Sequence, residues 1–167
     1  RKLIEIATTD SLTKVNNRRH FLELAQREFA TNQRHGRTLS VLMLDLDYFK
    51  SINDQYGHDV GDQALVMFAA LCHNSLRKGD ILGRMGGEEF AAILPDTGVE
   101  QARQTAERIR SGLESATTAA GSEIPATTVS IGITSSGPDD SLANALKRAD
   151  LALYQAKRAG RNRVIFS

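Results

Sequence analysis

Cysteine occurs once in this chain, the net charge is only +1, and no apolar run approaches the roughly 18 residues that a membrane-spanning helix needs. Each shortage removes a class of protein. A single Cys72 allows no disulfide framework, which suits a reducing cytoplasm. Its place in the helical pattern Ala64, Leu65, Phe68, Leu71, Cys72 makes it a small core residue rather than a nucleophile. The near-zero net charge gives no reason to expect a nucleic acid polymer or a membrane surface as partner. No signal peptide is visible. His20, His35, His58 and His73 do not fall at zinc-ligand spacing, and no Gly-x-Ser-x-Gly elbow is present. Nor does the chain start with methionine. It is expected to be a piece of a longer protein, with residues 1–9, including apolar Leu3, Ile4 and Ile6, as the end of an upstream helix.

What is present is one domain's worth of chain: 167 residues, 41% hydrophobic and 25% charged, enough for a core without staples. Asp10 to Thr13 reads as a capped turn. Phe21, Leu22, Leu24, Ala25 and Phe29 give a helical stripe that Gly36 stops. Leu39–Leu46 is a nearly continuous apolar run, as in a strand covered on both faces. A short helical turn over 48–54, a helix from about Asp59 to Arg77, a hairpin, and a helix over Val99–Ser115 follow. A loop over 117–125, a strand over Ala126–Thr134, a helix over Leu142–Ala159 and a closing strand at Val164–Phe166 complete the chain. The alternation predicts an α/β chain folded as an α+β sandwich, one sheet with helices against it.

Two stretches carry chemistry. Asp45 and Asp47 stand two apart at the end of the first strand and share a face if the strand persists. A helix beginning directly after them would set free backbone N–H groups beside the acids, an anion site next to a cation site. The second stretch is Arg84-Met85-Gly86-Gly87-Glu88-Glu89-Phe90, where a Gly-Gly pair between apolar runs predicts a tight turn. Glycines there leave no side chain to obstruct a bound group. Glu88 and Glu89 would leave the turn on opposite faces, one toward a ligand and one in support.

Asp45-Leu-Asp47-Tyr-Phe-Lys50, Asn53-Asp54, Gly57-His58, Gly61-Asp62, Gly86-Gly-Glu-Glu-Phe90, Ala149-Asp150-x-Ala-Leu-Tyr154 and Lys157-x-x-Gly-Arg-Asn162 occur in this order. Together they make residues 10–167 resemble a GGDEF domain, the diguanylate cyclases of bacterial second-messenger signalling, in its GGEEF form. Lys14, where many members have Gly, and Met85, where Tyr is frequent, depart from the pattern. The resemblance implies a central mixed, largely antiparallel sheet flanked by helices, like adenylyl cyclase and polymerase palm domains. It implies condensation of two GTP into cyclic di-GMP with loss of two pyrophosphates. Asp45, the Leu46 carbonyl and Glu88 would hold magnesium, or manganese in its place, and Glu89 would help deprotonate the attacking hydroxyl. Asn53 and Asp62 would choose guanine, since an ionised Asp accepts from N1–H and N2–H, which adenine lacks. The backbone of Tyr48, Phe49 and Lys50, the side chains of Lys50, Lys157 and Arg161, and the open backbone of Gly86 and Gly87 would take the phosphates. Arg77 and Asp80, with Arg108, resemble the family's product-inhibition site. Because one site holds one GTP, a homodimer follows from the two-fold product, and an upstream sensory domain would control it.

Overall fold

The structure is a computed structural model and describes residues 2–167. A short helix, α1 (Lys2–Thr8), precedes α2 (Arg18–His35), β1 (Leu39–Leu46), α3 (Phe49–Tyr56) and α4 (His58–Ser75). The hairpin strands β2 (Ile81–Gly86) and β3 (Glu89–Pro95) follow, then α5 (Val99–Thr118), β4 (Val129–Ser136), α6 (Leu142–Arg158) and β5 (Val164–Phe166). The five strands form one sheet ordered β2-β3-β1-β4-β5, antiparallel except for the β4–β5 pair. No helix among the described residues is long and apolar enough to cross a membrane. On α1, Leu3, Ile4 and Ile6 are exposed; Arg1 of the expected upstream helix lies outside the described residues.

Every residue of β1 is buried, as its unbroken apolar run requires of a central strand. Its two faces serve two cores. Leu42, Leu44 and Leu46 point toward α4 and α5 with Phe68, Ile109 and Leu113, where Phe68 meets Phe90 edge to face at 5.2 Å. Leu39, Val41 and Met43 point toward α2 and α6 with Phe21, Phe29, Ala149 and Leu153. Cys72 is buried in the first core, and burial pushes its thiol pKa up. The alternation carries Asp45, the next residue on the α2/α6 face, to the open end of that face.

Element ends differ from the sequence reading for local reasons. Helix α4 stops at Ser75 because Leu76 turns extended. Helix α5 runs on to Thr118, and the Thr117 hydroxyl accepts from the Thr127 N–H at 2.9 Å. The stretch before Val129 is thus held by a helix side chain instead of a strand ladder, so β4 starts later than expected.

The far end of β4 is tied to α6 by Asp140, which accepts from Arg148, from the Ser136 hydroxyl (2.9 Å) and from the Ser141 N–H (2.9 Å). Chiefly through the Arg148 hydrogen bond, its pKa is held below the ordinary 3.8. The native state gives up that proton more readily than the unfolded chain, so the stabilisation is complete above 3.8 and lost as pH falls through the lowered native value. Asp140→Asn is expected to cost about 1 kcal/mol at neutral pH. In urea titrations the gap to wild type should close as pH is lowered past 3.8.

Candidate functional site

The site gathers where β1 ends. In the ladders Asp45 stands opposite Glu89 of β3 on one side and Ser130 of β4 on the other. Asp45 and Glu89 are therefore cross-strand neighbours on one face. Glu88 differs from expectation. The hairpin register shifts by one residue between Arg84 and Gly86, so Gly86 pairs with Glu89, and the two turn residues are Gly87 and Glu88. Gly87 takes the left-handed conformation (φ 47°) that a bulky residue resists. Glu88 thus projects from the turn itself, not from a strand, with its carbonyl accepting from the Leu46 N–H at 3.3 Å.

The turn is braced from the N-terminal segment. Arg84 donates through Nε to the Gly87 carbonyl (2.9 Å) and through Nη1 to the Asp10 carboxylate (3.2 and 3.3 Å). Asp10 also accepts from the Thr13 N–H and hydroxyl, closing the turn read from the sequence. The turn is local and legible in the sequence; its ion pair with Arg84, 74 residues away, is not.

Asp45 is 8% exposed, and its Oδ1 lies 2.9 Å from Lys157 Nζ in an ion pair. Burial pushes its carboxyl pKa up, the Lys157 ammonium pulls it down, and Glu88 and Asp47 add to the rise. Burial, then Asp150 and Asp45, likewise raise the pKa of Glu89. A buried carboxylate that meets an ammonium at 2.9 Å and is crowded by further acids is a place that holds positive charge. Among the described residues no group of three or more His, Cys, Asp or Glu side chains gathers as a metal site. The donor set expected from the sequence, Asp45, Glu88 and the Leu46 carbonyl, is all oxygen, the kind of set that a hard divalent cation takes together with waters.

Helix α3 begins at Phe49, after Tyr48 in the left-handed region (φ 55°), and no side chain caps its first-turn amides. The N–H groups of Phe49, Lys50 and Ser51 are thus left without side-chain partners at the point where the sequence predicts an anion site. Further along α3, Asn53 presses against α4. A Cβ on Gly61 would fall 1.8 Å from Asn53 Oδ1, an atom that is buried and accepts no hydrogen bond from the described residues. Asp62 and Lys50 are exposed nearby in sequence.

Lys157 and Arg161 are not on one helical face: α6 ends at Arg158, and Arg161 follows in the left-handed region (φ 66°). Its guanidinium sits over the Tyr48 ring, 4.8 Å from the centroid, which brings it to the start of α3. Arg77 and Asp80 lie at the α4–β2 turn, away from this cluster. Asp80 accepts from the Arg77 N–H at 2.8 Å, while the Arg77 guanidinium donates to the Pro95 carbonyl and the Thr97 hydroxyl. Arg108 reaches the same segment by donating to the Ser75 carbonyl at 2.9 Å. A cavity of about 470 Å³ lined by Lys14, Asn16, His73, Arg77 and Asp80 adjoins the turn.

A fold and site of this kind define a known class. The family model "Diguanylate cyclase, GGDEF domain" matches residues 7–163. The chain is 43% identical over 166 residues to the probable diguanylate cyclase DgcC of Escherichia coli (strain K12), covering 98% of this chain and 44% of that protein. It is 41% identical to the response regulator PleD of Caulobacter vibrioides, covering 97% of this chain and 36% of that one. It thus spans less than half the length of these curated relatives. The solved coiled coil and GGDEF domain of DgcB from Caulobacter crescentus, in complex with c-di-GMP, superposes with a TM-score of 0.93 at 35% identity, covering 99% of this chain and 88% of that one. The chain belongs to the GGDEF-domain family of diguanylate cyclases, and its mixed, helix-flanked sheet is the palm-like fold of that family.

Proposed function

We propose that residues 10–167 form a catalytic domain that joins two GTP molecules into cyclic di-GMP, acting as one half of a homodimer in the cytoplasm. Residues 1–9 are the end of a helix from an upstream sensory domain. The observation that carries the reading is the meeting of Asp45, Glu88 and Glu89 at the sheet's end with the uncapped start of α3.

In each half-reaction the 3′-oxygen of one GTP bonds to the α-phosphorus of the other, the bond to the β-phosphate oxygen breaks, and pyrophosphate leaves. Glu89 takes the hydroxyl proton. Its carboxylate is a stronger base than an ordinary glutamate because burial and neighbouring acids raise its pKa. Asp45, Glu88 and the Leu46 carbonyl would hold magnesium or manganese, which when bound would polarise the α-phosphate and neutralise charge on the leaving group. The α3 amides, Lys50, Lys157 and Arg161 hold the phosphates, with room left by Gly86 and Gly87. Asp62 accepts from guanine N1–H and N2–H, and Asn53 adds a polar contact that adenine cannot reproduce. Opposed sites in a dimer supply the second GTP. Arg77, Asp80 and Arg108 bind the cyclic product and inhibit, the arginine fork suiting guanine O6 and N7.

Incubation with GTP and magnesium over a wide range of protein concentration, with products read by mass spectrometry, tests this. Cyclic di-GMP should form with a rate that rises faster than linearly with protein, and added product should slow wild type but not Arg77→Ala. Absence of product even when a fused coiled coil enforces dimerisation would overturn the catalytic reading in favour of a nucleotide-sensing module.

A further inference from the structure

Asp47 is two residues from Asp45 and 2% exposed, yet it does a different job. Both of its oxygens are already committed. Oδ1 accepts from the Ser130 hydroxyl at 2.7 Å, and Oδ2 accepts from the Thr128 hydroxyl at 2.7 Å and from the Asn162 backbone N–H at 3.0 Å. Its own N–H donates to the Thr128 carbonyl at 2.9 Å. A buried carboxylate saturated in this way is a poor metal ligand and a good clamp.

What it clamps is the loop between α6 and β5. Arg161 and Asn162 are consecutive non-glycine residues in the left-handed region, φ 66° and 47°. Such a pair persists only where its surroundings hold it. The holding groups come from two places: Asp47, just past β1, accepts from the Asn162 N–H, and on α5 Arg110 donates to Asn162 Oδ1 (2.8 Å) while Glu114 accepts from Asn162 Nδ2 (2.8 Å). With the loop so fixed, the Arg161 guanidinium stacks over Tyr48, directly at the α3 N-terminus.

We infer that Asp47 is a positioning residue for the triphosphate: it fixes the 160–163 loop so that Arg161 faces the phosphate site, acting through Arg161 and not on metal or base. This rests on the proposed role of the α3 N-terminus and Arg161 in holding GTP phosphates. A loop released from the clamp reaches the competent arrangement for part of the time, and apparent affinity falls by that fraction.

The test is calorimetric titration, with magnesium, of 3′-deoxyGTP, which cannot be condensed, and of guanosine, which lacks phosphates. Asp47→Ala should weaken 3′-deoxyGTP about tenfold and leave guanosine unchanged. Arg161→Ala should do the same, and the double variant should lose no more than Arg161→Ala alone. Asp47→Asn should retain wild-type binding. Its amide oxygen can serve Asn162 and Thr128 while its NH₂ faces the Ser130 hydroxyl, which rotates to accept. Asn162→Gly, which tolerates the backbone but loses both α5 anchors, should weaken 3′-deoxyGTP selectively even if Asp47→Ala does not fold. Wild-type triphosphate binding by Asp47→Ala or Asn162→Gly beside a weakened Arg161→Ala overturns this inference alone. Equal loss of guanosine, or multiplying effects in the double variant, also overturns it. No effect of Arg161→Ala overturns the phosphate reading beneath it.

Discussion

Glu88→Ala is expected to lower the rate of cyclic di-GMP formation by about 10³-fold or more while leaving the thermal midpoint near that of wild type. The two halves of that expectation have separate grounds. Glu88 occupies the second position of a two-residue turn and belongs to neither hydrophobic core, so its side chain removes little from the fold. Its carboxylate is nevertheless close enough to Asp45 to help raise that residue's pKa, and the two acids are the charged part of the proposed cation site. Asp45→Ala should match the loss in rate, and the double variant should be little worse than either single one, because groups that hold one ion act as a unit. A rate within tenfold of wild type for Glu88→Ala would remove Glu88 from the cation site and leave Asp45 without its partner.

The position of Glu88 marks how far the sequence reaches. A Gly-Gly pair between apolar runs announces a hairpin, and the residues that flank it were legible as strands because their apolar pattern is local. Which two residues make the turn depends on the register shift at Met85, set by pairing between strands, and no local pattern shows it. The acids at the end of β1 were legible for the same local reason as the strand. The division of labour between them was not. Asp45 is left facing the Lys157 ammonium while Asp47 is saturated by partners 81, 83 and 115 residues away. Arg84 likewise finds Asp10 at a separation of 74 residues. Long-range polar pairing of this kind is decided by which side chains the finished sheet brings together, so identical residue types two apart acquire different chemistry. Helix ends fail for a smaller reason: a threonine hydroxyl on α5 satisfies the backbone of the next segment, a choice that propensity does not encode.

Gly132→Ala is expected to do more damage to the fold than any loss of a surface pair. Gly132 lies in β4 on the face that meets α6. A Cβ there would fall 2.2 Å from the Leu153 nitrogen, 2.3 Å from the Ala149 carbonyl oxygen and 2.8 Å from the Ala152 carbonyl carbon. All three are main-chain atoms of a helix, so no side chain can swing aside. Either α6 moves off the sheet or β4 bends away from it. Both responses open the core in which Ala145, Ala149 and Leu153 pack with Met43 and Phe21. Overpacking against a rigid backbone costs about 3 kcal/mol or more, a fall of roughly 10 °C in thermal midpoint for a chain of this size. Gly137→Ala, where the added Cβ meets nothing within 4 Å, serves as the control and should stay close to wild type. The same helix carries Lys157 to within 2.9 Å of Asp45 and leads into the loop that Asp47 holds. Any Gly132→Ala protein that still folds should therefore bind GTP poorly even at low temperature, because the shift that relieves the clash withdraws Lys157 and Arg161 from the proposed phosphate site. A variant with the wild-type midpoint and wild-type GTP affinity would mean that α6 does not lie this close to β4.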